Sequence, residues 1–259
     1  MGNKISVVPY SERYREAHKV FASRNWPGKR RRQEENYIRW KFRGPAQGEV
    51  EGCLLAVKGD EVVGQVGLIP VDICAGSRLL SAQWICDFMA DASMRRQGVG
   101  SLLLETLMSR PKVSLGSNPS ESADGAMTRI GFRHLKAPSI MILPVRLNHV
   151  LSWKVPHKIK FLIPLLSQLG RPIMAWRSRE LRKSGRQGVI KRCSWHEVAP
   201  LIEERQKLLS YPYVVHDQAF LKWRCTGLTG FSAKLYVIAT DAGGYAIIEE
   251  AGPYLNVQD

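Results

Sequence analysis

Between Met94 and Leu107 the chain reads MRRQGVGSLLLETL: two arginines, two glycines one residue apart, then a run of leucines. Val99, Leu103 and Leu107, with Leu102, Leu104 and Met108 beside them, give a wide apolar face at helical spacing over Gly98–Arg110, and Pro111 stops it. A β-rich run, Ser81–Met89, precedes this helix, and a short apolar run, Lys112–Leu115, follows it. Strand, glycine turn, helix and strand in that order leave the helix start open. Amides of a first helical turn have no partner inside the helix, and the dipole favours negative charge there. Glycine lets a ligand approach the main chain, while Arg95 and Arg96 add forked cations. The stretch therefore reads as an anion site, with a plain glycine-rich helix start as the alternative.

Spacing excludes two familiar phosphate loops. G-x-x-x-x-G-K-[ST] is absent, and Gly98-Val99-Gly100 is followed by Leu103 where a dinucleotide fingerprint has a third glycine. Gly185–Val189 echoes the loop but lacks the second glycine and the leucine helix, so it is read as coincidence.

The surrounding pattern alternates strand and helix. Lys4–Pro9 reads as a strand, Ser11–Ala22 and Glu34–Phe42 as helices, and Cys53–Lys58 and Val62–Pro70 as a hairpin turned at Gly59-Asp60. After the leucine helix come a strand at Lys112–Leu115, a helix over Ser122–Ile130 ended by Gly131, and strands at Phe132–Leu135 and Ser139–Leu143. The expectation is an α/β (α+β) fold with a mixed, mostly antiparallel sheet flanked by helices.

R-x-x-G-x-G between a strand and a Leu-rich helix, then a strand, an Asn, a short helix and Gly-Phe, resembles the Gcn5-related N-acetyltransferase (GNAT) superfamily over residues 4–145. The resemblance implies acetyl-CoA, or another acyl-CoA, with its pyrophosphate on the main chain of Arg95, Arg96, Gln97, Gly98, Val99 and Gly100. It further implies that Met89 and Ala90 pair with the pantetheine arm, that Asn118 lies on the cofactor side, and that the acceptor is an amine. Many members carry a Tyr general acid four residues before the Gly of Gly-Phe; here that position is Met127, which donates no proton. For a base, Asp87 is the first candidate, Asp72 the second and His134 the third. Each also has a structural reading: a hydrogen-bond acceptor, a strand-end charge and an ordinary strand histidine.

The charge is concentrated in the middle of the chain. Of a net +15, Arg146–Arg192 holds +11, with twelve Lys or Arg against the single acid Glu180. Trp153, Phe161 and Trp176 are interleaved with the cations, and Pro156, Pro164 and Pro172 divide the segment into short helical pieces. Such a basic amphipathic connector suits an anionic membrane surface or RNA, or is simply solvated. No apolar run reaches membrane-spanning length and no secretory signal is visible, so the expected location is cytoplasmic, with a peripheral place at the inner membrane face open through 146–192. Five widely spaced cysteines without a C-x-x-C pair point to reduced thiols and no metal site.

Beyond the connector the chain repeats itself. Ile38-Arg39-Trp40-Lys41 matches Leu221-Lys222-Trp223-Arg224, and Cys53–Ala56 matches Tyr236–Ala239, both at an offset of 183. This predicts a GNAT-like acyl-CoA-binding domain at 1–145, a basic helical connector at 146–192 and a partial second GNAT-like unit at 193–259 without a cofactor loop. Trp40 and Trp223, equivalent in the repeat, are expected to pack and not to contact ligand. The tandem arrangement also resembles acyltransferases of polysaccharide and cell-envelope pathways. Two alternatives stay open: an aminoacyl-tRNA-dependent ligase of the tandem type, and a non-catalytic acyl-CoA-binding or membrane-associated scaffold.

Overall fold

The computed structural model describes residues 4–117, 119–135, 189–226, 234–239, 244–251 and 254–257, together with a few helical positions between 163 and 179. Most of the basic connector, the expected strand at 139–143 and Asn118 therefore lie outside the described residues.

The main sheet is built from β1 (Ile5–Tyr10), β2 (Val50–Lys58), β3 (Glu61–Ala75), β4 (Arg78–Ala90) and β5 (Val113–Gly116), in that spatial order. The first four are antiparallel, and β5 lies parallel to β4. The Gly59-Asp60 turn joins β2 to β3 with Gly59 at φ +63°, a left-handed conformation that favours glycine. A second tight turn at Gly76-Ser77, not anticipated from the sequence, extends β3 and β4 into a long hairpin.

Alternation along β2 divides the core. Leu54 and Ala56 face a cluster with Val66, Leu68, Val99, Leu103, Leu104 and Leu107, whereas Cys53, Leu55 and Val57 face Tyr10, Phe21, Ile38 and Phe42. Helix α3 (Val99–Met108) covers the first face, and α1 (Arg15–Asn25) and α2 (Glu35–Lys41) contribute the apolar cover of the second. Met108, expected on the apolar face of α3, is 44% exposed. Gly64 permits the close approach of α3, since a Cβ there would stand 2.6 Å from Val99 Cγ1.

Helix α4 (Glu121–Arg129) is capped by Ser120, whose side chain accepts from the Ala123 amide. Phe132–Leu135 is not the strand that the sequence pattern predicts. The Phe132 amide donates to Met127 O at 3.1 Å and that of Gly131 (φ +102°) to Thr128 O at 3.1 Å, a Schellman ending that uses up the first residue of the apolar run.

Further along, β6 (Val189–Arg192), α5 (Trp195–Gln206), β7 (Tyr213–Val214), α6 (Gln218–Cys225), β8 (Lys234–Ala239), β9 (Gly244–Ala251) and β10 (Tyr254–Val257) follow. Ser194 and Glu197 form a reciprocal capping box at α5, and Asp217 caps α6 through the Phe220 amide at 2.7 Å. Strand β7 pairs with β3 at Ile73 and Cys74, beyond the reach of β2. Residues 192–236 fall into the same compact unit as residues 1–133, while 134–191 group separately with 237–244. A second sheet runs β10-β9-β8-β6.

Among the described residues no helix is long and apolar enough to cross a membrane, and no cluster of His, Cys, Asp or Glu could hold a metal ion. No two of the five cysteines are joined in a disulfide.

Candidate functional site

The start of α3 is shaped by a chain of local constraints. Asp91 caps a short 3-10 turn, Ala92–Met94, accepting from the Ser93 amide at 3.0 Å and its hydroxyl at 2.8 Å. Its other oxygen meets Arg24 Nε at 2.9 Å and Asn25 Nδ2 at 3.4 Å. Burial opposes ionisation of this carboxyl, but Ser93, Asn25 and Arg24 outweigh it and hold Asp91 below the ordinary carboxylate value. The chain then turns through Arg96 (φ +64°) and Gly98 (φ +76°), and the first helical bond runs from Leu102 N to Gly98 O at 2.9 Å. The amides of Val99, Gly100 and Ser101 precede any intrahelical acceptor. A Cβ on Gly98 would meet nothing within 4 Å, so the space above the loop is open. Arg95 and Arg96 are exposed beside it.

The strand that leads into this loop is distorted where it matters. Gln65 pairs with Met89 and Gly67 with Cys86, so Val66 faces two residues, Asp87 and Phe88, in a bulge with Asp87 at φ +47°. Pairing of β4 with β5 ends at Ile85–Gly116. Strand β5 itself ends at Gly116, and no β5 residue pairs with the backbone of Cys86–Ala90. Met89 and Ala90 thus lie on the stretch of β4 where the β5-side ladder has ended, close in sequence to the open helix start.

Met127 packs in the core beside the end of β5, with Sδ 3.8 Å from the position a Cβ on Gly116 would take. The Asp87 side chain is 6% exposed and both its oxygens are engaged: Oδ1 with Arg32 Nη2 at 2.9 Å, Oδ2 with Lys41 Nζ at 2.5 Å. Burial works against the Lys41 ammonium, but Cys86, Asp87 and Tyr37 together raise its pKa above the ordinary value. Asp72 is exposed on β3, its backbone carbonyl accepting from Val215 N at 2.8 Å. His134 lies in the exposed turn after α4 and falls in the other compact unit. Of the three carboxylate and imidazole candidates, only Asp87 lies on the stretch of β4 beyond its pairing with β5.

Sequence reasoning did not foresee the pocket next to Asp87. A cavity of about 420 Å³ is bounded by Trp84 and Cys86 of β4, Ser117, and Tyr37, Trp40 and Lys41 of α2, with Phe220 and Trp223 of α6 opposite. Burial pushes the Cys86 thiol up to about 12, so it stays protonated and is no nucleophile near neutral pH. Burial likewise raises the Tyr37 phenol. The signals for this pocket were present only as isolated aromatics on separate elements; Asp91, by contrast, announces itself as Asp-x-Ser ahead of the arginine pair.

Comparison with known proteins agrees with this geometry. Residues 14–114 match the family described as Acetyltransferase (GNAT) domain. A GCN5-related N-acetyltransferase from Kribbella flavida superposes with a TM-score of 0.55 at 15% identity, covering 99% of this chain and 56% of that one. The N-myristoyltransferase of Saccharomyces cerevisiae, solved with myristoyl-CoA bound, gives 0.54 at 10% identity over 98% of this chain and 64% of that one. A conserved protein of unknown function from Enterococcus faecalis gives 0.53 at 12% identity over 99% and 59%. The chain therefore spans roughly three fifths of the length of these structures. No curated protein sequence matches it. In sheet order and helix start, the N-terminal part of this chain has the GNAT acetyltransferase fold.

Proposed function

We propose that the protein is a CoA-dependent N-acyltransferase, moving an acetyl or other acyl group to an amine. The observation that carries the reading is the stretch of β4 beyond Ile85, left without a β5 partner, leading through Asp91 to a helix start above which a Cβ at Gly98 would find open space. These residues fit the cofactor: the amides of Gly98, Val99 and Gly100 with Arg95, Arg96 and Gln97 would hold its pyrophosphate, and the Met89–Ala90 backbone would hold its pantetheine arm. Bound acyl-CoA supplies an acyl group activated as a thioester.

The chain's own residues then have distinct tasks. Asp91 fixes the loop conformation, the bulge at Asp87–Phe88 sets the direction of the free edge, and the aromatic pocket receives the acceptor. Asp87 acts in this reading as a positioning residue, holding Arg32 and Lys41 at the pocket edge. Met127 contributes no proton, so proton delivery falls to solvent or to a group outside the former Tyr position.

A partial second GNAT-like unit also belongs to this reading. The series β6-α5-α6-β8-β9-β10 has the element order of β1-α1-α2-β2-β3-β4, and its sheet runs β6-β8-β9-β10 as the first runs β1-β2-β3-β4. That correspondence supports a tandem arrangement, with the cofactor on the first unit.

Calorimetric titration with acetyl-CoA tests the function. Saturable binding that disappears in Gly98→Trp is the expected result. Absence of binding to the unaltered protein, or binding retained by a folded Gly98→Trp, would overturn it.

A further inference from the structure

The pocket beside Asp87 has a regularity that constrains its occupant. Tyr37, Trp40 and Lys41 of α2 precede Phe220, Trp223 and Arg224 of α6 by 183 residues each, and all six line the cavity. The tryptophans are paired reciprocally: Trp40 Nε1 donates to Trp223 O at 3.2 Å and Trp223 Nε1 to Trp40 O at 2.8 Å, with rings 5.7 Å apart. The two helices thus meet about a local twofold relation, and the cavity lies between equivalent residues. Its sheet wall is different in character, formed by Ile69, Val71, Trp84 and Cys86, and it reaches Ser117 just past the end of β5.

Charge around this cavity is one-sided. Lys41 and Arg224 line it and no carboxylate residue does among the described residues; Lys41 shares Asp87 with Arg32, and that cluster keeps one net positive charge. Arg43 and Arg224 each place a guanidinium 5.4 Å from the Trp223 ring centre. The adjacent acid, Asp87, is already engaged by Arg32 and Lys41, and Asp217 at the head of α6 is turned to the Phe220 amide. A polyamine or other cationic acceptor would enter against like charge, with no acid on the wall to receive it. An amine joined to an anion meets the opposite situation. Its negative group pairs with cations on the helical wall, its body lies against indole and phenyl rings, and nearby positive charge disfavours protonation of the attacking nitrogen.

We infer that the acceptor held between α2 and α6 is a primary amine that also carries a carboxylate or a phosphate on an apolar or planar body. This rests on the N-acyltransferase reading. A volume of about 420 Å³ accommodates a molecule of amino-acid or amino-sugar size.

Intrinsic fluorescence reads the pocket directly, because Trp40, Trp84 and Trp223 line it. L-phenylalanine is titrated against phenethylamine, and glucosamine 6-phosphate against glucosamine, so that each pair differs in its anion. The expected result is saturable quenching roughly tenfold or more tighter for the anionic member of at least one pair. Preference in the first pair alone identifies a carboxylate, in the second alone a phosphate. Arg224→Gln removes the preference and Arg224→Lys keeps most of it. Equal quenching within both pairs, no saturable quenching by any of the four, or a preference undiminished in Arg224→Gln would overturn the inference. Acetyl-CoA calorimetry on the same proteins separates the two readings. Binding of acetyl-CoA without an anion preference removes only the inference, and an anion preference without acetyl-CoA binding removes only the acyltransferase.

Discussion

 Asp87 shows how one side chain can be found by sequence while its partners stay hidden. Its place on the strand before the glycine loop made it the first candidate base, and its carboxylate is held between Arg32 and Lys41. Arg32 lies 55 and Lys41 46 residues before Asp87, so neither contact could be read from neighbouring sequence. Asp87→Asn leaves two cations in a partly buried site without their counter-charge. We expect a loss of about 3 kcal/mol of stability, measured by urea denaturation. His18 gives a second expectation at this scale. It is 1% exposed, with Nε2 2.6 Å from Gln65 Oε1, and burial lowers its pKa below the ordinary value. Well above about pH 6.5 neither folded nor unfolded His18 carries a proton, and the group adds no pH dependence. As the pH falls below that value the unfolded chain takes up the proton first. Stability should then fall by up to about 1.4 kcal/mol per pH unit. Unfolding measured from pH 7.5 to 5 should show this slope, and His18→Phe should flatten it whatever its effect at pH 7.

At the scale of elements, two glycines near α3 should respond for opposite reasons. Gly98 has space around it but a left-handed φ of +76°, so Gly98→Ala should cost about 1–2 kcal/mol through backbone strain alone. Gly64 lies on a strand where a Cβ would press on Val99 Cγ1 at 2.6 Å and Leu103 Cδ1 at 3.1 Å. Gly64→Val should push α3 away from the sheet and cost about 1–3 kcal/mol, with a weaker acetyl-CoA affinity because the loop moves with the helix. Thermal unfolding and calorimetry of both variants check these outcomes. The helices and strands around the loop were legible because their apolar spacing and their turn residues agree with each other. The strand expected at Phe132–Leu135 did not form because Gly131 and Phe132 are used to cap the last turn of the preceding helix.

Across the whole molecule, the repeat at an offset of 183 becomes a physical contact between Trp40 and Trp223. The sequence reading that both residues pack is consistent with that contact, but both also line the pocket, which it did not anticipate. Trp40→Phe and Trp223→Phe each remove one indole donor from the reciprocal pair. A double-mutant cycle should give a coupling of about 0.5–3 kcal/mol, and additive losses would show that the two helices stabilise the chain independently. The linear sequence by itself determined the order of strands and helices around the glycine loop, because local propensity, apolar period and turn chemistry act over a few residues. Only the tertiary structure decided which side chains share the pocket, the partners of Asp87 and the one-sided charge around Lys41 and Arg224. Those depend on contacts between residues far apart in the chain, whose pairing is set by the packing of α2, the sheet and α6 and leaves no mark on local spacing.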